Sequence, residues 1–322
     1  MLKYILRRLL QMIPVIIVIS ILLFSLVQAM PGDPIQAYLG VNSKVAPEIK
    51  EKLRVKLGLD KPKYVQYAIW FKRMLTGDFG ESIQYKRPVS EVAGDFLWNT
   101  FLINIVVFIL AFGVSIPIGI ICAVKQYSRT DNFWTVFSLI GISMPSFFFG
   151  LLLIFGLAVK LKLFPISGMV TAGANYTGLE YVLDVGKHMV LPALVLTISS
   201  LASLVRYIRN SMLEVVKQDY IRTARSKGLS EKVVIYRHAF RNALIPIVTL
   251  IGIWIPFLFT GSVITEKVFV WPGIGRVLYE AVIMRDYNVV MTLNMFFALL
   301  MLMGNLLQDI GYALVDPRVK VE

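Results

Sequence analysis

The chain has 322 residues, of which 57% are apolar and only 16% charged, and its mean hydropathy is +0.70. A soluble domain is close to half apolar and a quarter charged, so this composition excludes an ordinary soluble protein and points to one built largely within a bilayer. The net charge of +13 does not mark a nucleic-acid binder, which would carry its cations on a soluble face with aromatic platforms.

Six uncharged apolar runs follow one another, over 9–30, 96–124, 133–159, 189–205, 242–265 and 287–308. A spanning helix needs about 17–25 such residues, so each qualifies, the fourth being the shortest. The first run follows Arg7 and Arg8 like a secretory leader, and Val27-Gln28-Ala29 could pass as its cleavage site. A leader's apolar region is about 7–15 residues, however, so this longer run is read as a retained span.

The segment 31–95 begins Pro31-Gly32-Asp33-Pro34, a turn that ends the first span. Pro47 at a first turn, then Ile49, Leu53 and Leu57 at helical spacing and Gly58 as a stop predict one short helix. Tyr64, Tyr67, Trp70, Phe71 and Met74 predict a second, closed by Gly77. Such a helical insertion either caps the helix ends or forms a docking surface.

Within the spans, Pro14, Pro117, Pro145, Pro192, Pro246 and Pro256 each kink a helix and leave room for a path. No Asp, Glu, Lys, Arg or His lies inside the six runs, which argues against a proton relay or ion-coupled carrier. Enzyme chemistry finds no footing either. His188 and His238 have no Cys or acidic companion at metal-ligand spacing. No G-x-x-x-x-G-K-[ST] cradles a nucleotide phosphate, and Gly273-Ile274-Gly275 lacks the preceding strand of a dinucleotide site. Cys122 is the lone cysteine, so no disulfide forms within the chain. No catalytic, metal or cofactor site is assigned.

Placing the N-terminus inside puts Lys3, Arg7, Arg8, Lys125, Arg129, the basic cluster between Arg206 and Arg241, and Arg318 and Lys320 in the cytoplasm. The short outside connections then hold only Lys160, Lys162, Lys187, Lys267, Arg276 and Arg285. The positive-inside rule, which segments as long as 31–95 escape, favours cytoplasmic termini.

In the stretch from Gln218 to Pro246, Arg222, Arg225, Lys227, Lys232, Arg237 and Arg241 face only Asp219 and Glu231. Tyr220, Ile221 and Ala224 share one helical face, and Arg222 and Arg225 another. Asp219 is suited to cap the start, Gly228 to end the helix left-handed, and Ser230 to cap a second helix with Glu231 in its first turn. The pattern reads as helix, glycine corner, helix. A polybasic loop on anionic headgroups is the alternative, but lipid attraction needs charge and no glycine corner.

The stretch Asp219-Tyr220-Ile221-Arg222-Thr223-Ala224-Arg225-Ser226-Lys227-Gly228-Leu229-Ser230 resembles the cytoplasmic EAA loop of ABC importer permeases, in the form carried by the dipeptide and oligopeptide family. Arg237-His238-Ala239-Phe240-Arg241-Asn242-Ala243-Leu244-Ile245-Pro246 resembles its continuation. So, in order, do Arg7-Arg8-Leu9-Leu10, Pro31-Gly32-Asp33-Pro34, Gly77-Asp78-Phe79-Gly80, Val268-Phe269-Val270-Trp271-Pro272-Gly273-Ile274-Gly275, Arg285-Asp286-Tyr287 and Asp316-Pro317-Arg318 resemble other family stretches. Where the general pattern has Glu-Ala-Ala this chain has Arg222-Thr223-Ala224, and His238-Ala239-Phe240-Arg241 replaces its Ile-x-Leu-Pro. No acidic residue is therefore assigned to an ATPase contact at that position.

The resemblance implies an all-α polytopic membrane protein with the type I ABC importer permease fold. Its parts would be a first span (1–30), an external helical insertion (31–95), a permease core (96–312) with a coupling helix at 219–236, and a cytoplasmic tail (313–322). It implies a multi-pass protein of the prokaryotic inner membrane, in contact with lipid and not with nucleic acid. Its partners would be a second homologous permease, two ATPases that bind ATP and Mg, and an external peptide-binding protein. ATPase coupling would fall to Asp219, Tyr220, Ile221, Arg222, Thr223, Ala224, Arg225, Lys227 and Gly228, with Tyr220, Ile221 and Ala224 buried and the cations at the rim. Trp271-Pro272-Gly273 would open an amphipathic helix through Met284, with Val277, Leu278, Ala281 and Val282 apolar. Tyr67, Trp70, Trp271, Pro272, Gly273 and Arg276 would then receive the binding protein or gate the pore. Peptide is the favoured cargo; nickel and glutathione importers share the architecture, and a channel or scaffold anchored by lipid is the reading outside this class.

Overall fold

The computed structural model describes residues 2–30, 35, 46–56 and 58–315. The Pro31–Pro34 turn, Leu57, the Asp316-Pro317-Arg318 stretch and most of the tail lie outside the described residues. Those described are helical and irregular, with one isolated bridge between Glu81 and Pro88.

Helix α1 (Leu2–Ala29) is followed by two short helices, α2 (Pro47–Lys56) and α3 (Lys63–Leu75), as the insertion's periodicity predicts. Then come α4 (Val89–Val124), α5 (Arg129–Ser143) and α6 (Ser146–Leu153), which runs on as a π-helix over Ile154–Lys160. The long α7 (Gly178–Val216) leads to α8 (Asp219–Ser226). Helix α9 (Glu231–Val233) passes through a π-helical stretch, Val234–Ala239, into α10 (Phe240–Phe257). The chain closes with α11 (Val263–Val268), α12 (Ile274–Met284) and α13 (Tyr287–Val315).

Four of these are long and apolar enough to cross a bilayer singly, over Tyr4–Ala29, Val89–Val124, Gly178–Val216 and Tyr287–Gly311. The other two expected spans are bent pairs. The run at 133–159 turns through 103° between Arg129–Ser143 and Ser146–Lys160. Pro145 is the cause: its ring drives Met144 out of the helix to an extended ψ of 123°. Glu231–Leu244 and Pro246–Phe257 meet at 51°, where Pro246 lacks the amide that would continue the ladder. The run at 242–265 also divides, α10 stopping at Phe257 and α11 beginning at Val263. The short run at 189–205 sits inside α7, whose helix continues well past it on both sides.

Helices α4 and α7 form the central packed pair, and α10 packs on α13. At one end, Ile120 and Ala123 of α4, Ile208 and Met212 of α7 and Ile247 of α10 surround the inner face of α8. At the opposite end Val89 and Val92 of α4 pack with Ile274, Val277 and Ala281 of α12 and Val289 and Leu293 of α13. Helix α1 lies along α13, and Arg8 pairs with Asp309 at 3.0 Å. Its other side is apolar and outward-facing, with Leu10 66% and Leu22 57% exposed, as suits a helix whose solvent is lipid.

Candidate functional site

Helix α8 is two-sided. Ile221 (0% exposed) and Ala224 (6%) point inward and pack with Ile208, Met212, Val234, Ile235 and Ala239. Burying Ile221 contributes about 1.5–3 kcal/mol, enough to seat so short a helix on the ends of α4, α7 and α10. Asp219, Arg222, Thr223, Arg225 and Lys227 are exposed, and so is Tyr220 at 45%. The expected apolar trio therefore separates: Ile221 and Ala224 are consumed within this chain, and Tyr220 is left on the outer face. The reason is angular, since Ile221 and Ala224 are three residues apart and share one line while Tyr220 sits at its edge.

The caps also differ from expectation. Gln218, not Asp219, is the N-cap, and neither it nor Ser230 makes a side-chain cap bond. Asp219 instead occupies the first turn, where its charge suits the helix dipole. Gly228 turns the corner at φ +75° with open space around it, in the left-handed region that side chains disfavour. Across the corner Arg225 donates to both Glu231 oxygens, Nη2 at 2.7 Å and Nε at 3.2 Å. The expected coupling helix at 219–236 is thus α8, a corner and the first turns of the next span. Near the corner's end of the bundle a second ion pair is partly buried: the half-buried Arg209 of α7 grips the buried Asp131 of α5 at 2.6 and 2.8 Å.

At the opposite end the residues expected to face a binding protein are held within the chain. Trp271 is 0% exposed and its indole donates to the Asn99 carbonyl at 3.1 Å. Asn99 in turn donates to the Pro272 carbonyl at 2.9 Å. Gly273 is buried, Pro272 and Arg276 are half-buried, and Arg276 Nε bonds Glu280 at 2.7 Å. Tyr67 and Trp70 turn their rings toward Phe24 of α1, with centroids 5.6 and 6.1 Å away, and the Tyr67 hydroxyl meets Ser20 at 2.8 Å. Of the aromatic stripe on α3, Tyr67 and Trp70 thus pack on α1, in keeping with the capping alternative, while Tyr64 is 75% exposed. The helix through Met284 forms as expected, burying Val277 and Ala281, but Val282 is 40% exposed.

The residue that organises this end is Glu266 of α11, 3% exposed and one position beyond an apolar run. Its carboxylate accepts the Thr100 hydroxyl at 3.0 Å and the Arg276 amide at 2.7 Å, capping α12 from outside. Burial pushes its carboxyl up to about 7, outweighing the opposing hydrogen bonds from the Arg276 amide, Thr100 and the Gly275 amide. A Cβ on Gly273 would stand 2.3 Å from the Glu266 carboxyl carbon, so the glycines dismissed as a dinucleotide signal make room for this carboxylate. Asp286, fully buried, accepts the Ser82 hydroxyl, the Gln84 amide at 3.1 Å and the Val289 amide at 3.4 Å. It pins the insertion to the start of α13. His188 does have an acidic companion, one helical turn away: its Nδ1 lies 3.6 Å from an Asp184 oxygen and 2.8 Å from the Asp184 carbonyl. Among the described residues no group of three potential ligands could hold a metal.

Comparison with known proteins places the arrangement. Residues 115–321 match the model of the binding-protein-dependent transport system inner membrane component, and residues 1–92 match its N-terminal companion. The oligopeptide transport system permease protein AppB of Bacillus subtilis is 43% identical, the alignment covering 99% of this chain and 100% of that protein. The dipeptide permease protein DppB of Escherichia coli K12 is 39% identical, over 99% of both chains. The glutathione permease protein GsiC of Salmonella paratyphi A is 38% identical, also over 99% of both. A solved structure of the MetNI methionine ABC transporter, inward facing, shares the fold at TM-score 0.52 and 17% identity, covering 70% of this chain and 95% of that one. The chain belongs to the family of binding-protein-dependent transport system inner membrane components, the ABC importer permeases, which have no enzymatic chemistry of their own.

Proposed function

We propose that this chain is a pore-forming subunit of an ATP-driven importer of peptides, paired with a second permease and served by two cytoplasmic ATPases and an external binding protein. Full-length similarity to oligopeptide and dipeptide permeases supports the cargo class. The two-sidedness of α8 carries the mechanism. Its inner face is locked to the ends of α4, α7 and α10, and its outer face offers Tyr220, Arg222, Thr223 and Lys227 to a partner. Closure of an ATPase pair around ATP and Mg moves α8, and the locked face passes that motion to the spans without slack. The α8 end is cytoplasmic in this reading, as are both termini: the Arg8–Asp309 pair brings the N-terminal part of α1 to the C-terminal part of α13.

Affinity purification of the tagged chain with its chromosomal neighbours tests the assembly. Two ATPases and a second permease are expected, and the chain alone should turn over no ATP. Reconstituted vesicles loaded with ATP should take up a labelled dipeptide in preference to glutathione or nickel. Recovery of the chain as a stable, conducting unit without ATPases would return it to the channel class.

A further inference from the structure

Near the α8 end, α5 and α7 enclose a cleft of about 130 Å³ whose walls include Trp134, Thr135, Ser138, Arg206, Arg209 and Asn210. Its polar groups are donors, set among apolar walls that include Cys122, Leu139 and Val205. Arg209 is neutralised and immobilised by Asp131, which takes its Nε at 2.6 Å and Nη2 at 2.8 Å. Arg206 is exposed and forms no ion pair among the described residues, so the cleft carries one uncompensated positive charge. Asn210, on the next turn of α7, adds an exposed amide.

Ser138 supplies the independent sign that something outside the chain belongs there. The residue is 2% exposed, yet its hydroxyl has no hydrogen-bond partner. Buried hydroxyls nearly always have one, and a helical serine has its own preceding turn to bond. Thr135 lies on the same face one turn away. The space is several times the ~30 Å³ share of a single water.

The surroundings decide what kind of anion fits. Around the cleft α5 exposes Phe133 (61%), Val136 (54%), Leu139 (52%) and Ile140 (54%), a surface for acyl chains and not for water. Arg206 stands one residue past the apolar run 189–205, the depth of the headgroups, and Trp134 is half-buried beside it, as aromatics at that level are. We infer that the cleft binds the phosphodiester headgroup of an anionic phospholipid. Arg206 and Asn210 hold the phosphate oxygens, Ser138 donates from below, and the acyl chains run along α5. Calling that leaflet cytoplasmic rests on the orientation proposed above; the site itself does not.

The test uses the full-length chain with the proteins that purify with it, in phosphatidylcholine vesicles containing a photoactivatable phosphatidylglycerol. After irradiation and digestion, mass spectrometry should find adducts on the α5 and α7 peptides. Arg206→Gln should lower them about fivefold, the weight of one basic side chain at an anionic surface, and Ser138→Val should lower them as well. Lys232→Gln, a cation near the corner but outside the cleft, should leave them unchanged. Equal labelling by photoactivatable phosphatidylcholine would remove the anionic specificity. Loss of labelling to excess inorganic phosphate would reassign the cleft to the free ion, and crosslinks from α5 only to a second permease would make it a subunit interface. Adducts that ignore Arg206→Gln overturn the proposal outright. Orientation is read separately, by whether a Lys232→Cys variant reacts with an impermeant maleimide in inside-out but not right-side-out vesicles.

Discussion

The Thr100 hydroxyl donates to Glu266 Oε1 at 3.0 Å and accepts the Ile274 amide at 2.8 Å. One side chain of α4 thus closes a circuit between the α11 carboxylate and the first turn of α12. Every member is buried, so the circuit is strong when complete and costly when broken.

The raised carboxyl of Glu266 has a direction in pH. Its value moves from 4.5 unfolded to about 7 folded, so between those values the native chain holds a proton that the unfolded chain has released. The stability that Glu266 contributes is therefore fully present below pH 4.5 and is lost as the pH rises through 7, by about 3 kcal/mol at 1.36 kcal/mol per unit. Thermal unfolding of the detergent-purified chain across that window should show the slope, and Glu266→Gln should flatten it. A wild-type profile already flat there would remove Glu266 as a titrating group.

Trp271 is a strut. Trp271→Ala should destabilise the chain by about 3–5 kcal/mol, the usual cost of emptying a packed aromatic site. Trp271→Cys should stay unreactive toward an impermeant thiol reagent in intact cells until the chain is denatured. Ready labelling in the native protein would show that this end opens far more than its packing implies.

The Asp131–Arg209 pair predicts an asymmetry. Asp131→Asn or Arg209→Met alone strands a partly buried charge and should cost about 3–5 kcal/mol, whereas Asp131→Leu with Arg209→Met should recover most of the loss. Melting temperatures of the three variants check it. If the double variant is as damaged as the sum of the singles, the pair is not an isolated unit.

At the corner, Gly228→Ala adds left-handed strain of about 1 kcal/mol and meets nothing within this chain. Gly228→Val adds β-branched bulk to the same strain. Both should leave the chain inserted, with ATPase recovery weakened in the order valine, alanine, wild type. Lys232→Glu should do less, because exposed charges are screened. Pull-down of the ATPases with each variant measures the order, and a crippling Lys232→Glu beside a silent Gly228→Val would assign the corner to lipid instead.

Much of this architecture is written locally. The apolar runs, the two insertion helices and the Gly228 corner follow from spacing and backbone preference alone, so they are readable one segment at a time. What a single segment does not reveal is which side its neighbours will claim. Tyr220 shares an edge with Ile221 but loses the contest for the core. Trp271 and Tyr67 look like outward aromatics until Asn99 and Phe24 are placed against them. Glu266 is invisible because Thr100 lies far away in sequence and the Arg276 amide, though only ten residues on, is brought to it by a turn that no spacing signals, although three glycines near one acid (Gly261, Gly273 and Gly275) are the trace of its close packing. Pro145 was legible as a kink, but a turn of 103° depends on where α6 finds its groove.

The pairing of Arg8 with Asp309 sets a schedule for biosynthesis. Helix α1 is made before the other described helices, yet its main neighbour, α13, is the last of them to be made. The intervening ~300 residues take on the order of fifteen seconds to a minute at ordinary elongation rates. Through that interval α1 waits in the bilayer with Arg8 without its carboxylate, and a helix made early is fastened only after one made about 300 residues later.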